Sequence, residues 1–305
     1  MPSRAKALAR LALQLRAQKF EWALNFHASP SSATLAFATG AGTRSIHFHG
    51  HKDKNRYSTV TVPGKGQLKP IIERDMDTVR ALGIHVPAGR APKLFLQERE
   101  KEKAIDRLKI NNLTWPILGI ALGASRPTKI WPIDRYASLA VKWCQETGGS
   151  VVVMGSLMEM PKFQEFLKSV DDELTVAIPS LTERAPLRSK ISCEIGSPIR
   201  EVAAVLSQCS VLVGNDSGPR HIAVAVGTPT VTLFGPEDPY EWHPYPTEQH
   251  PYFFTENLAC RKDAMPGFKP WCGLYICVEE QHRCMTDLGV AQVFEQCKNR
   301  VKQVV

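Results

Sequence analysis

The sequence predicts an α/β protein of two domains built on parallel sheets. Three observations carry that prediction. The chain has 305 residues, about twice the usual length of one domain. Short Val-rich and Ile-rich runs alternate with helix-period segments through its second half, as strands buried on both faces do. Its 43% hydrophobic and 22% charged residues match a folded globular chain, not a disordered or fibrous one. The longest nearly apolar stretch, Pro116 to Ala124, falls short of the roughly 18 to 20 residues of a spanning helix, so no transmembrane segment is expected.

Taken in order, the chain opens on a basic segment. Arg4, Lys6, Arg10, Arg16 and Lys19 precede the first acid, Glu21, a composition shared by transit peptides and membrane-surface helices. Because Leu8, Leu11, Ala12 and Leu15 recur at helical spacing, the segment reads as an amphipathic helix covering a sheet. Trp22 to Phe26 reads as a strand, and Pro30 to Thr39 as a helix opened by a Ser-rich turn and closed by Gly40. Arg44 to Gly66 lacks a period and reads as a basic loop around one short strand. Lys69 to Leu82 returns to helical spacing and stops at Gly83.

Pro87 to Pro92 and the charged run Gln97 to Lys109 mark the boundary region. The junction is placed near 112, which gives a first Rossmann-like domain over 1–112 and a second over 113–305. Strands at Ile117–Ala121, Ser150–Met154, Val211–Val213 and Thr230–Phe234 then alternate with helices at Ile133–Glu146, Lys162–Ser169, Ile199–Gln208 and Arg220–Val226. Glu237 to Pro270 reads as packed irregular chain. A last helix, from Leu288 to about Lys302, is free to pack back on the first domain.

The 38 basic and 30 acidic residues leave a net charge of +8, which favours anionic partners. Nucleic acid is not among them, because no basic helix with interleaved aromatics and no reader motif occurs. Eight cysteines without an apolar leader suit reduced thiols, hence a cytoplasmic protein.

Chemistry concentrates in two segments. In Val211-Leu-Val-Gly-Asn-Asp216-Ser217-Gly218-Pro-Arg-His221, a buried strand ends and a helix begins, so the turn lies at the carboxyl edge of the sheet, where α/β folds bind ligands. The free N–H groups and positive end of that helix attract a phosphate or diphosphate, and Gly218 carries no side chain to hold the ligand away. His221 adds a donor, while Asp216 suits a sugar hydroxyl or a cation. Simple capping of the helix by Asp216 and Ser217 is the competing reading. The second segment, Gly123-Ala-Ser125-Arg-Pro-Thr-Lys129-Ile-Trp-Pro132, is again a strand-to-helix junction. Ser125 can donate to phosphate there, and Lys129 supplies a mobile positive charge.

Together with Leu-Phe-Gly-Pro236 and Pro-x-x-Trp242, these two segments resemble glycosyltransferase family 9, the ADP-heptose:lipopolysaccharide heptosyltransferases, in order from about Leu11 to the C-terminus. The resemblance implies a GT-B arrangement, with two Rossmann-like domains facing a cleft. Its second domain binds the nucleotide sugar, its first the lipid A–core acceptor, and transfer inverts the anomeric centre without a metal or other cofactor. It further implies that Ser125, Lys129, Ser217, Gly218 and His221 hold the donor phosphates, with Asp216 near sugar hydroxyls. Arg44, Lys52, Lys54 and Arg56 take the acceptor side. The implied partners are ADP-heptose or a related nucleotide sugar, the lipopolysaccharide core and, peripherally, the inner membrane.

One departure qualifies this. Family members begin with a strand and a Gly-Asp loop whose Asp is taken as general base; this sequence starts near the family's third structural unit, so its N-terminal domain reads as incomplete and that Asp has no counterpart. A shortened gene product, a start upstream of this Met and pairing with another chain all fit. His27 is a weak substitute base. The rival function is therefore a nucleotide-sugar-binding remnant impaired in catalysis.

Other signals are set aside. His47, His49 and His51 alternate as metal ligands on a strand would, but Lys52, Lys54 and Arg56 beside them favour an anion. Asp75 and Asp77 read as a solvated helix surface. Cys260, Cys272, Cys277 and Cys284 lack zinc-pair spacing and read as reduced thiols, and Cys144, Cys193, Cys209 and Cys297 as packing residues.

Overall fold

The computed structural model describes residues 4–27, 29–47, 56–62, 69–261 and 272–301. They form an α/β protein with parallel sheets, divided into two compact units. The first unit comprises 1–90 with 240–244, and the second 91–239 with 245–305.

In the first unit the order is α1 (Arg4–Ala17), β1 (Trp22–Asn25), α2 (Pro30–Ala38), β2 (Thr43–Ile46) and α3 (Ile71–Arg80). Strands β1 and β2 pair in parallel, Trp22 opposite Thr43 and Asn25 opposite Ile46. Helix α2 starts where the sequence places it because Ser29 caps it, its hydroxyl accepting from the Ser32 N–H at 3.2 Å, and Pro30 supplies a pre-set φ. It ends at Gly40, whose φ of 73° suits a residue without Cβ. Ala33, Ala36 and Ile46 form the small core.

Helix α3 corrects one expectation. Asp77 is not solvated but buried, with Lys69 at 2.8 Å and Arg80 at 2.9 Å from its carboxylate, and burial pushes the half-buried Asp75 carboxyl up against the opposing pull of Arg74.

The second unit runs α4 (Glu98–Ile110), β3 (Ile117–Ala121), α5 (Ile133–Thr147), β4 (Ser150–Gly155), α6 (Met160–Ala177), α7 (Leu181–Ser189), β5 (Ile191–Ile195), α8 (Ile199–Gln208), β6 (Val211–Asn215), α9 (Gly218–Ala225), β7 (Thr230–Phe234), α10 (Pro239–Trp242), β8 (Tyr252–Phe254), α11 (Arg283–Thr286) and α12 (Val290–Lys298). The short α10 runs on into the first unit's segment. The sheet order is β5-β4-β3-β6-β7-β8, all parallel. Chain order therefore reverses direction between β3 and β6, the doubly wound pattern whose switch point opens a crevice at the carboxyl ends of those strands.

Every residue of β3, β6 and β7 is buried, which is why they read as predominantly apolar runs, broken only by Asn215, Thr230 and Thr232. The edge strand β5 is only partly buried and carries Ser192, Cys193 and Glu194, so its apolar signal is weak, and the sequence reading missed it along with α7. Cys193 is exposed there and does not pack.

The charged run before residue 112 is also more than a boundary. It forms α4, opened by a capping box between Gln97 and Glu100, and it belongs to the second unit. Ala104 and Leu108, spaced i,i+4, bury one stripe with Val205 and Leu206 of α8, while Arg107–Glu201 at 3.0 Å and Arg200–Glu100 at 2.6 Å line its rim. The division at Arg90 thus falls inside the Pro87–Pro92 stretch. Helix α12 buries Val293, Phe294 and Cys297 in the second unit's core, where Phe294 meets Trp143 of α5 edge-on at 6.2 Å. Cys144 and Cys209 are buried and their thiols pushed up to about 12 by desolvation, so they are unreactive packing residues.

Candidate nucleotide-sugar site

At the switch point the turns after β3 and β6 meet. Lys129 Nζ lies 2.7 Å from Asp216 Oδ2, joining residues 87 apart in sequence. The other carboxylate oxygen, Oδ1, accepts from Arg220 Nη2 at 2.5 Å. Arg220, one helical turn after Asp216, is 1% exposed, and its guanidinium lies over the rings of Phe234 at 5.1 Å and Tyr245 at 5.9 Å. Burial pushes the Asp216 carboxyl up, but Arg220 and Lys129 outweigh it and hold the group below its ordinary range. The carboxylate is therefore ionised and fixed.

This arrangement removes the capping alternative. Neither Ser217 nor Asp216 caps α9 by a side-chain bond; Asp216 serves two cations, and Ser217 Oγ is buried without a partner. Gly218 opens α9 with free space where a Cβ would stand. No side chain on Gly218 therefore stands beside the first N–H groups of the helix, the end that favours an anion. His221 lies in that first turn, its Nδ1 hydrogen-bonded to the Tyr245 hydroxyl, and Ser125 is exposed at the mouth of the other turn.

The supporting residues were not singled out from sequence. Asn215, fully buried at the end of β6, rivets the two turns. Its Oδ1 accepts from the Trp131 N–H at 2.9 Å and the Tyr136 hydroxyl at 3.0 Å, and its Nδ2 donates to the Leu122 carbonyl at 2.9 Å. The C-terminal tail braces the Lys129 turn from outside: Thr128 Oγ1 donates to the Leu274 carbonyl at 2.8 Å, and His282 Nε2 lies 2.8 Å from the Thr128 carbonyl. Glu237, just past β7, pairs with Arg126 and stands 3.4 Å from Lys129. Only Arg220 left a legible signal, being i,i+4 from Asp216 within the same motif.

The pattern of glycosyltransferase family 9 (heptosyltransferase) matches residues 8–266. The chain belongs to this family. It is 27% identical over 240 residues to lipopolysaccharide heptosyltransferase 2 of Escherichia coli K12, an alignment covering 75% of this chain and 64% of that one. Two solved structures share the fold. The glycosyltransferase family 9 protein of Veillonella parvula has a TM-score of 0.73 at 19% identity, covering 98% of this chain and 80% of that one. The ADP-heptose heptosyltransferase II of E. coli has a TM-score of 0.68 at 21% identity, covering 98% and 81%. The chain spans 32–64% of the length of the first curated relatives it matches.

The six residues for which the sequence resemblance implies a donor role lie around the β3/β6 switch point: Ser125 and Lys129 in the turn after β3, Asp216 and Ser217 in the turn after β6, and Gly218 and His221 in the first turn of α9. Those assigned to the acceptor lie in the first unit. Arg44 is engaged structurally, its Nε donating to the Tyr57 carbonyl at 2.8 Å and its guanidinium 5.5 Å over Phe37. Arg56 stacks on Tyr57 at 4.5 Å. Lys52, Lys54, His49 and His51 lie outside the described residues, and His47 is buried. His27 is exposed at the end of β1, its backbone N–H held by Asn25 Oδ1 at 2.8 Å. All eight cysteines are free thiols, and among the described residues no group of three or more His, Cys, Asp or Glu is arranged to hold a metal, and no helix is long and apolar enough to cross a membrane.

Proposed function

We propose that the chain binds ADP-heptose or a related nucleotide sugar at the β3/β6 switch point and moves the heptose, with inversion, to the lipopolysaccharide inner core. The observation that carries this reading is the Lys129–Asp216 contact, which brings a cation, a helix N-terminus and a fixed carboxylate to one sheet edge. Positive charge from Lys129, Arg126 and the first N–H groups of α9 offsets the charge that develops on the departing diphosphate, so the transfer proposed is metal-independent. Ser217 Oγ and His221 donate to phosphate oxygens, and Asp216 orients sugar hydroxyls. The acceptor approaches the first unit's basic residues, and the net charge of +8 draws the protein to the anionic inner leaflet. His27 is the candidate base within this chain.

Calorimetric titration with ADP tests the donor assignment. Lys129→Ala weakens binding about tenfold and His221→Ala about threefold, each with an unchanged circular dichroism spectrum. Unchanged affinity in both variants overturns the placement of the donor. A transfer assay on heptose-less acceptor with chelator present then separates the enzyme from a remnant that binds without turnover.

A further inference from the structure

The site holds one carboxylate that a diphosphate-binding pocket does not need. Glu237 follows the Gly235-Pro236 turn at the end of β7, next in the sheet to β6, and a single oxygen of its side chain, Oε1, faces both Arg126 Nη2 and Lys129 Nζ. An anionic oxygen lodged between a guanidinium and an ammonium is the position a phosphate oxygen takes between the same two groups.

We propose that Glu237 is a built-in stand-in for the donor phosphate: it fills the seat between Arg126 and Lys129 in the empty protein and must swing out when a nucleoside diphosphate binds. The inference rests on the donor reading given above and adds to it the residue that sets how tightly diphosphate is held.

Three features single out Glu237 over Asp216 as the carboxylate that moves. Both oxygens of Asp216 are committed, one to Lys129 and one to the buried Arg220, whereas Glu237 reaches Lys129 only at 3.4 Å. The Glu237 side chain is 15% exposed against 6% for Asp216. Glu237 also has one more rotatable bond through which to leave. With both carboxylates in place, Arg126, Lys129 and Arg220 carry one net positive charge between them and their partners. Once Glu237 is displaced the local balance rises by one, in favour of a ligand with two or more negative charges. The displaced carboxylate returns when the diphosphate departs, so the residue favours product release at the expense of affinity.

The test is titration of the full chain with ADP and with adenosine, at one ionic strength, for the wild type, Glu237→Gln, Glu237→Asp and Arg126→Ala. Glu237→Gln binds ADP about three- to tenfold more tightly, with adenosine affinity unchanged because adenosine has no phosphate to compete for the seat. Glu237→Asp, one methylene short of the seat, tightens ADP by a smaller factor and carries the test should the Gln variant not fold. Arg126→Ala weakens ADP. A wild type that binds ADP while the Glu237 variants bind it equally or more weakly overturns the proposal and leaves the donor reading intact, as does an equal gain for adenosine. Failure of ADP to bind either the wild type or the variants removes the donor reading and the proposal together.

Discussion

The two units differ in how deeply they bury apolar surface and the charges set in it. In the second, Trp131, Tyr136 and Trp143 have no exposed surface, and the Arg220–Asp216 pair is buried, with the guanidinium over Phe234 and Tyr245 and Lys129 on the other carboxylate oxygen. In the first, the core cluster is Ala33, Ala36 and Ile46, while Phe20, Trp22, Leu24 and Phe26 are each 36–49% exposed. A buried ion pair needs rigid, well-satisfied surroundings, since desolvation otherwise exceeds the Coulombic gain. A large packed core can hold both members of such a pair out of water, as with Arg220 and Asp216, whereas the first unit's buried Asp77 is paired with Lys69 and Arg80, which stay partly exposed. Asn215→Ala is the sharpest way to break the contrast. It leaves the Trp131 N–H, the Tyr136 hydroxyl and the Leu122 carbonyl buried without their partner, a loss of about 3 kcal/mol or more in denaturant unfolding. The Lys129 turn loosens with it, so ADP affinity falls even in molecules that remain folded.

That prediction also shows what the sequence could and could not disclose. The switch-point strands were legible because most of the residues they bury on both faces are apolar, and the turn after β6 was legible because Gly218 and Ser217 stand at a helix N-terminus, the place where an anion is favoured. Asn215 was not, since an amide at a strand end looks the same whether it bonds water or rivets two loops. Glu237 and Tyr245 come from the irregular stretch beyond β7, where no period predicts which side chains turn inward. Helix α4 was hidden by its own composition: a run that is charged on three sides shows only Ala104 and Leu108 to the core.

A smaller effect arises from protons. His250 sits in the second unit with Nδ1 3.0 Å from Thr230 Oγ1 and its ring edge-on to Tyr245, and burial lowers its pKa from 6.5 to about 4. Between those values the unfolded chain binds the proton and the folded one does not. The contribution of this histidine is therefore full above pH 6.5 and declines as pH falls from 6.5 toward 4. Unfolding midpoints measured across that range fall with acid in the wild type, and His250→Gln flattens the slope there. An unchanged slope would show that the ring takes up its proton without cost, and that this part of the second unit is as open as the first.

The smallest effect belongs to the first unit and is the control for all the others. Trp22 and Leu24 lie two apart on β1, hence on one face, and Trp22 is 49% exposed. Trp22→Ser removes a large side chain that has about half its surface already in water, so it leaves no sealed cavity, and its stability change stays within about 0.5 kcal/mol. Trp131→Ser in the second unit, with no exposed surface, costs several times more by the same reasoning. Iodide quenching of tryptophan fluorescence provides an independent readout: the accessible fraction falls in Trp22→Ser and is unaltered by nucleotide. A loss above about 1 kcal/mol on replacing Trp22, or an emission that iodide cannot reach, would mean that this face is covered in solution and that the contrast between the units is smaller than their exposures indicate.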